Sequence, residues 1–240
     1  MTALTLLNWN LQWARKCSPR GRTILNIVRE IGAHVVCLTE ANASFLDESG
    51  HTIASDADYG YPIQKDRRKV MLWSKEPWEN VDTLGNIGLP GGRFIAGATT
   101  TPLGKLRVIG VCIPWSFAHV TTGQRNKKPW DDHLAFLTHL KPILASAPEP
   151  TVLLGDFNQT LPRSRAPIRA EKLLRDAMMS DFKIATENLQ NEAGAHCIDH
   201  IAHTHTLTTS AMSVVPKISN EGLRLSDHFG VLATMRLAEI

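Results

Sequence analysis

The sequence predicts a mixed α/β protein built on two sheets. Eight short β-branched or Leu-rich runs are spread along the chain, helical spacing appears in only a few stretches, and the two do not alternate as a regular βαβ repeat would. With 240 residues, 43% of them hydrophobic, and neither an internal repeat nor a low-complexity linker, residues 1–240 read as a single domain with a large core. That composition excludes disorder, collagen and a disulfide-dependent miniprotein.

In chain order the strand-like runs are Leu4–Gln12, His34–Thr39, Lys69–Trp73, Phe94–Thr99, Leu106–Ile113, Thr151–Gly155, Ile198–His203 and Gly230–Arg236. A first helix is expected over Thr23–Ile31, where Ile24, Ile27, Val28 and Ile31 share a face, Thr23 caps and Gly32 stops it. A second runs from Trp130 to Lys141, with Leu134, Leu137 and Leu140 facing the core and Pro142 disturbing its end. A third, shorter one runs from Arg169 to Met178.

No apolar run reaches the roughly 18 residues of a membrane span, and the opening MTALTLLNWNLQW has no basic leader or small-residue cleavage site, so a cytoplasmic protein is expected. Cys17, Cys37, Cys112 and Cys197 lie far apart with no CxxC pair, which predicts buried reduced thiols. Lys and Arg number 26 against 23 Asp and Glu; this +3 excess is spread along the chain and leaves the partner open. Nothing points to a protein partner.

Several apolar strands end in polar groups. Along Leu4–Trp13, Leu7, Trp9, Leu11 and Trp13 form one face, while the other passes from Leu4 and Leu6 to Asn8, Asn10 and Gln12. Val35-Val36-Cys37-Leu38 runs into Thr39-Glu40, and Val152-Leu153-Leu154-Gly155 into Asp156-Phe157-Asn158, where the two polar side chains share a side if the chain stays extended. Ile198-Asp199-His200 and Ser226-Asp227-His228 each place an acid beside a histidine. If Glu40, Asp156, Asp199 and Asp227 converge, each pair about 5 Å apart repels by roughly 3 kcal/mol at an effective dielectric near 20. Such a group needs a cation or shared protons, and oxygen ligands favour Mg2+ or Mn2+ over zinc.

At Asn8-Trp9-Asn10, Cys37-Leu38-Thr39-Glu40, Gly155-Asp156-Phe157-Asn158, Ile198-Asp199-His200-Ile201 and Ser226-Asp227-His228, in that order, the sequence resembles the endonuclease/exonuclease/phosphatase superfamily of metal-dependent phosphoesterases. The resemblance implies a four-layer α/β sandwich, DNase I-like, in which two packed mixed sheets are flanked by helices and the site lies at one end. It implies that Glu40 holds the metal, with Asn10 contacting metal or phosphate and Asp227 as a further carboxylate. Asp156 would orient or deprotonate the attacking water, Asn158 would donate to the phosphoryl oxygens, and His228 would contact the phosphate with its ring fixed by Asp199.

Against the family pattern, Cys112 stands where a phosphate-contacting Tyr or His is usual before Pro114, and a thiol is a poor donor. Trp115, His119 and Arg125 in the following loop are candidates for the missing contact, or ordinary loop residues. Arg93, after Gly91-Gly92, either reaches the phosphate or closes a hairpin. His196, three residues before Asp199, stands where abasic-site endonucleases have an aromatic sugar-pocket wall. Arg20, Arg22, Lys65, Arg67, Arg68 and Lys69 read as solvated basic clusters, and the His- and Cys-containing run 196–205 as a polar strand end rather than a zinc site.

The function expected is therefore a Mg2+- or Mn2+-dependent phosphodiesterase, foremost a nuclease on DNA or RNA. A phosphatase or phosphodiesterase on a small phosphorylated molecule or lipid headgroup is the alternative, and a catalytically inactive binding module on the same scaffold a third reading.

Overall fold

The architecture was obtained as a computed structural model describing residues 2–46, 49–178 and 181–239. In chain order its elements are β1 (Leu4–Asn10), α1 (Pro19–Ile31), β2 (Val35–Asn42), β3 (His51–Ala54), β4 (Arg67–Ser74), β5 (Trp78–Asp82), β6 (Phe94–Thr101), β7 (Gly104–Cys112), α2 (Asp131–Ala145), β8 (Thr151–Asp156), α3 (Ile168–Met178), β9 (Phe182–Ile184), β10 (Asp199–Thr204), β11 (Leu207–Val215) and β12 (Gly230–Leu237).

The strands form two six-stranded sheets, ordered β11-β12-β1-β2-β4-β3 and β5-β6-β7-β8-β10-β9. Each contains one parallel pair, β1 with β2 and β7 with β8; the remaining neighbours are antiparallel. α1 makes the crossover in the first sheet and α2 in the second, because parallel neighbours need a connection long enough to return the chain. Leu4, Leu6, Val35, Val70, Val108, Val152 and Ile201 fill the space between the sheets. Leu7, Trp9, Ile24, Val28 and Leu38 seal α1 against one outer face, and Ile109, Phe136, Leu140, Leu153 and Leu174 seal α2 and α3 against the other. The four expected layers are present.

Every expected strand and helix is found, with shifted ends. α1 begins at Pro19 rather than Thr23, because Ser18 accepts the Gly21 N–H and Pro19 supplies the preset first turn; Gly32, at φ +59°, closes it as expected. α2 runs through Pro142 to Ala145. β1 stops at Asn10, whose Oδ1 accepts the Gln12 N–H at 2.8 Å, and Gln12 and Trp13 then take φ of +46° and +59°. Trp13 therefore leaves the face it would share with Trp9. Cys37, Cys112 and Cys197 are buried free thiols, but Cys17 is exposed in the turn before α1, where no core reaches it. No helix is long and apolar enough to cross a membrane among the described residues.

Candidate active site

The polar strand ends meet at one end of the seam between the sheets. Asp156 closes β8 and Asp199 opens β10, and the two are direct partners across the antiparallel ladder. From the first sheet, Asn10 closes β1 and donates from Nδ2 to Asp156 Oδ2 at 3.2 Å. His228 lies two residues before β12, and its Nδ1 stands 2.5 Å from Asp199 Oδ2. Both links cross from one sheet to the other, so the site exists only when the sheets are packed.

Electrostatics follow from this burial. Asp156 is raised to about 7, first by loss of solvent and then by the neighbouring Asp199 charge. Burial opposes charge on His228, but the Asp199 carboxylate and their hydrogen bond outweigh it and raise the ring to about 10. Burial also raises the Asp199 carboxyl, with the His228 charge opposing that rise; with the ring protonated, Nδ1–H donates to Asp199 and Nε2–H points away from it. Asp199 Oδ1 is buried without a partner. Asp227, with 41% of its side chain exposed, stands 3.9 Å from His228 Nε2.

Glu40 is placed by backbone strain. It sits within β2 at φ +47°, a left-handed conformation that costs a non-glycine residue about 1–3 kcal/mol, and its carbonyl accepts the Trp13 N–H at 2.7 Å. Its Oε1 is paired at 2.6 Å with Lys69. The sequence reading missed Lys69, which lay inside an apparent solvated cluster; the signal available was its position at the start of an apolar run facing β2.

The remaining candidates divide. Asn158 does not continue an extended chain: at φ +53° it donates its N–H to Asp156 Oδ1 and its Nδ2 to the Ile113 carbonyl, both at 2.9 Å, closing the end of β7. Phe157 between them is buried in the core. Arg93 is 3% exposed, with Nη1 3.4 Å from the carbonyl of Cys112, and its charge is felt by Cys112 beside Asp156, Glu40 and Lys69. Arg93 thus places a buried guanidinium close to the acids, held by one long hydrogen bond. His119 is buried by the loop itself, its ring 4.5 Å from Tyr61 and its Nδ1 accepting the Gln124 N–H. Trp115 is exposed and packs on Phe117, and Arg125 is exposed. His196 Nε2 pairs with Gln190 across an isolated bridge.

Behind the catalytic loop lies a hydrogen-bonded clamp that was not legible from spacing. His133 donates from Nδ1 to the Pro114 carbonyl and accepts at Nε2 from Gln159, both at 2.7 Å. His200 donates from Nε2 to the Gln159 carbonyl at 2.9 Å and accepts at Nδ1 from the Thr186 hydroxyl at 2.7 Å. Each ring therefore needs one bare nitrogen, and burial lowers both to about 4. Asn8 bridges the sheets from Nδ2 to the carbonyls of Gly155 and His200.

Asp156, Asp199 and His228 carry donor atoms within 4.8 Å of one another and could hold a metal ion. With His228 protonated, oxygen donors would take that role. The fit with a hard cation rests on Asp199 Oδ1, buried without a partner, and on two buried carboxylates facing each other, a charge excess a divalent ion would relieve. The run 196–205 gathers no such group among the described residues: Cys197 lies in the core and His203 bonds the Thr204 carbonyl.

Three of the solved structures that share the fold illustrate it. An AP endonuclease from Archaeoglobus fulgidus is 15% identical, with TM-score 0.69 over 96% of this chain and 98% of its own. The 3'-5' exonuclease NExo from Neisseria meningitidis is 16% identical, with TM-score 0.71 over 98% and 100%. TDP2 of D. rerio, complexed with a single-strand DNA product, is 13% identical, with TM-score 0.69 over 98% and 100%. No curated protein matches the sequence. The model of the Endonuclease/Exonuclease/phosphatase family matches residues 7–228, and the chain belongs to that family.

Proposed function

We propose that the chain is a divalent-metal-dependent phosphodiesterase, using Mg2+ or Mn2+, that hydrolyses DNA or RNA. The observation that carries the reading is the His228 imidazolium on Asp199, set across the seam from a carboxylate of raised pKa, Asp156. Phosphodiester hydrolysis needs a positioned water, neutralised phosphate charge and help for a poor leaving alkoxide.

Asp156 accepts the proton of the attacking water, for which a pKa near 7 is well matched. Asn10 fixes the Asp156 carboxylate through Oδ2. His228 holds its proton at Nε2 and donates it toward a phosphoryl or leaving oxygen, while Asp199 fixes the ring from the other side. Lys69 and Arg93 add positive charge around the phosphate. Glu40, Asn10 and Asp227 would hold the metal beside the buried acids, and such an ion supplies charge neutralisation at the scissile phosphate. Asn158 acts first by bracing Asp156 and second by offering its remaining amide hydrogen to the phosphate.

The fold relatives that act on or carry DNA support a nucleic-acid substrate. The test is a panel of duplex and single-stranded DNA, RNA, abasic duplex, nucleotides and inositol phosphates with Mg2+ or Mn2+, run beside Glu40→Gln. Cleavage of nucleic acid that EDTA and Glu40→Gln abolish is expected. Hydrolysis confined to small phosphomonoesters would replace this reading with the small-molecule one, and binding without cleavage with an inactive module.

A further inference from the structure

Next to the proposed catalytic centre, the turn after β1 and the turn before β4 enclose a cleft of about 790 Å³, lined by Trp13, Arg15, Asn42, Lys65, Arg67 and Arg68. These cations come from segments some fifty positions apart, and among the described lining residues one carboxylate, Asp66, accepts the Ser44 hydroxyl and sets its charge against them. None of Arg15, Lys65, Arg67 and Arg68 makes an ion pair among the described residues. Against the single Asp66 charge, these four cations leave an excess of positive charge on one concave surface, an arrangement that favours a polyanion.

The cleft is mechanically continuous with the catalytic centre. Arg67 lies over the Trp13 ring at 4.7 Å and Lys69, the partner of Glu40, over the same ring at 5.2 Å. The Trp13 N–H holds the Glu40 carbonyl. Asn42 faces Arg67 and Ala41 faces Arg68 in the β2–β4 register, so the cleft opens two residues, about 7 Å, beyond Glu40. That is comparable to the step from one phosphate to the next along a nucleic-acid strand. An Arg stacked on an indole is already ordered for a phosphate, so little side-chain freedom is lost on binding.

We propose that this cleft binds the phosphate flanking the scissile one, so that the substrate is a polynucleotide strand rather than a small phosphate ester. The proposal rests on the phosphodiesterase reading above for the position of the scissile phosphate. The binding contacts are to the backbone, which makes them insensitive to base sequence and sensitive to salt.

The experiment compares the wild type with Lys65→Gln/Arg67→Gln on a fluorescein-labelled decanucleotide and on bis(p-nitrophenyl) phosphate, both with Mg2+. The ratio of the two kcat/KM values is expected to fall at least tenfold in the variant, and an unchanged ratio overturns the proposal. Independently of turnover, anisotropy in EDTA is expected to show weaker decanucleotide binding by the variant and a log–log salt slope smaller by about 1–2. Bound decanucleotide should also protect Cys17, the exposed thiol at the cleft, from alkylation. Equal affinity of both proteins, or displacement by inorganic phosphate at matched ionic strength as effective as by unlabelled decanucleotide, overturns it. If the wild type cleaves neither substrate, the phosphodiesterase reading fails while the binding arm still decides the cleft.

Discussion

Asp156 and His228 carry opposite protonation demands at the same pH, and each is met by its surroundings. In the proposed mechanism Asp156→Asn removes the proton acceptor and His228→Gln the charged donor while preserving size; each is expected to lower kcat by about 10²–10⁴. Circular dichroism of the variants should match the wild type, since the assay must report chemistry and not unfolding. Because burial raises Asp156 toward about 7, it is expected to be partly protonated at pH 6.5, and a bound cation favours its ionised form. Mg2+ binding is therefore expected to release protons at pH 6.5 and far fewer at pH 8.5. Calorimetry in buffers of different ionisation enthalpy measures this, and Asp156→Asn should abolish the pH dependence.

The acids, amides and histidine were legible as residues because strands that change from apolar to polar side chains announce a wall of a site. Lys69, Trp13 and the clamp on Gln159 were not: their meaning lies in partners far away in sequence. Spacing placed Asn158 on the same side as Asp156 in an extended chain, whereas the end of β7 leaves the Ile113 carbonyl needing a donor and the Asn158 side chain answers it.

At the scale of elements, the strands found from sequence are the inner ones. The four not found, β3, β5, β9 and β11, are the four edges of the two sheets. An edge strand is covered on fewer sides, so its side chains need not be apolar: β11 reads Leu-Thr-Thr-Ser-Ala-Met-Ser-Val-Val, with most of its middle positions at least partly exposed. The turn from β8 into the catalytic loop depends on Gly155, at φ +148°, where an added Cβ would lie 1.8 Å from the Val111 carbonyl oxygen of the neighbouring strand. Gly155→Ala is expected to destabilise by at least about 3 kcal/mol in urea unfolding, because backbone cannot move away without separating β7 from β8.

The clamp behind that loop makes stability depend on pH. His133 and His200 fall from about 6.5 unfolded to about 4 folded, so the unfolded chain binds more protons between those values. Their contribution is present above about pH 6.5 and is lost as pH falls through 4. By pH 5 each ring should have cost about 2 kcal/mol relative to pH 7. The midpoint of urea unfolding is expected to drop accordingly, and replacing His133 by Gln should flatten part of that dependence.

Across the whole molecule, the two sheets repeat one plan: a central parallel pair, a crossover helix on the outside, and antiparallel neighbours. The candidate catalytic groups lie where the plans abut, and the Asn10–Asp156 and His228–Asp199 contacts tie one sheet to the other. A cation bound there must favour the packed state over separated sheets. Saturating Mg2+, at a hundred times its dissociation constant, is expected to add about 2.7 kcal/mol to stability, read as a higher Tm that Glu40→Gln weakens. An equal rise in the variant would place the ion elsewhere.

Local pattern alone determined the inner strands, the three helices and the identity of the acids, because burial on both faces and the 3.6-residue repeat leave marks on neighbouring residues. Only packing decided which cations gather around Glu40 and Trp13. Lys69, Arg67 and Trp13 acquire their contacts from a turn of φ +59° and a strand register, and such long-range contacts leave no trace in residue spacing.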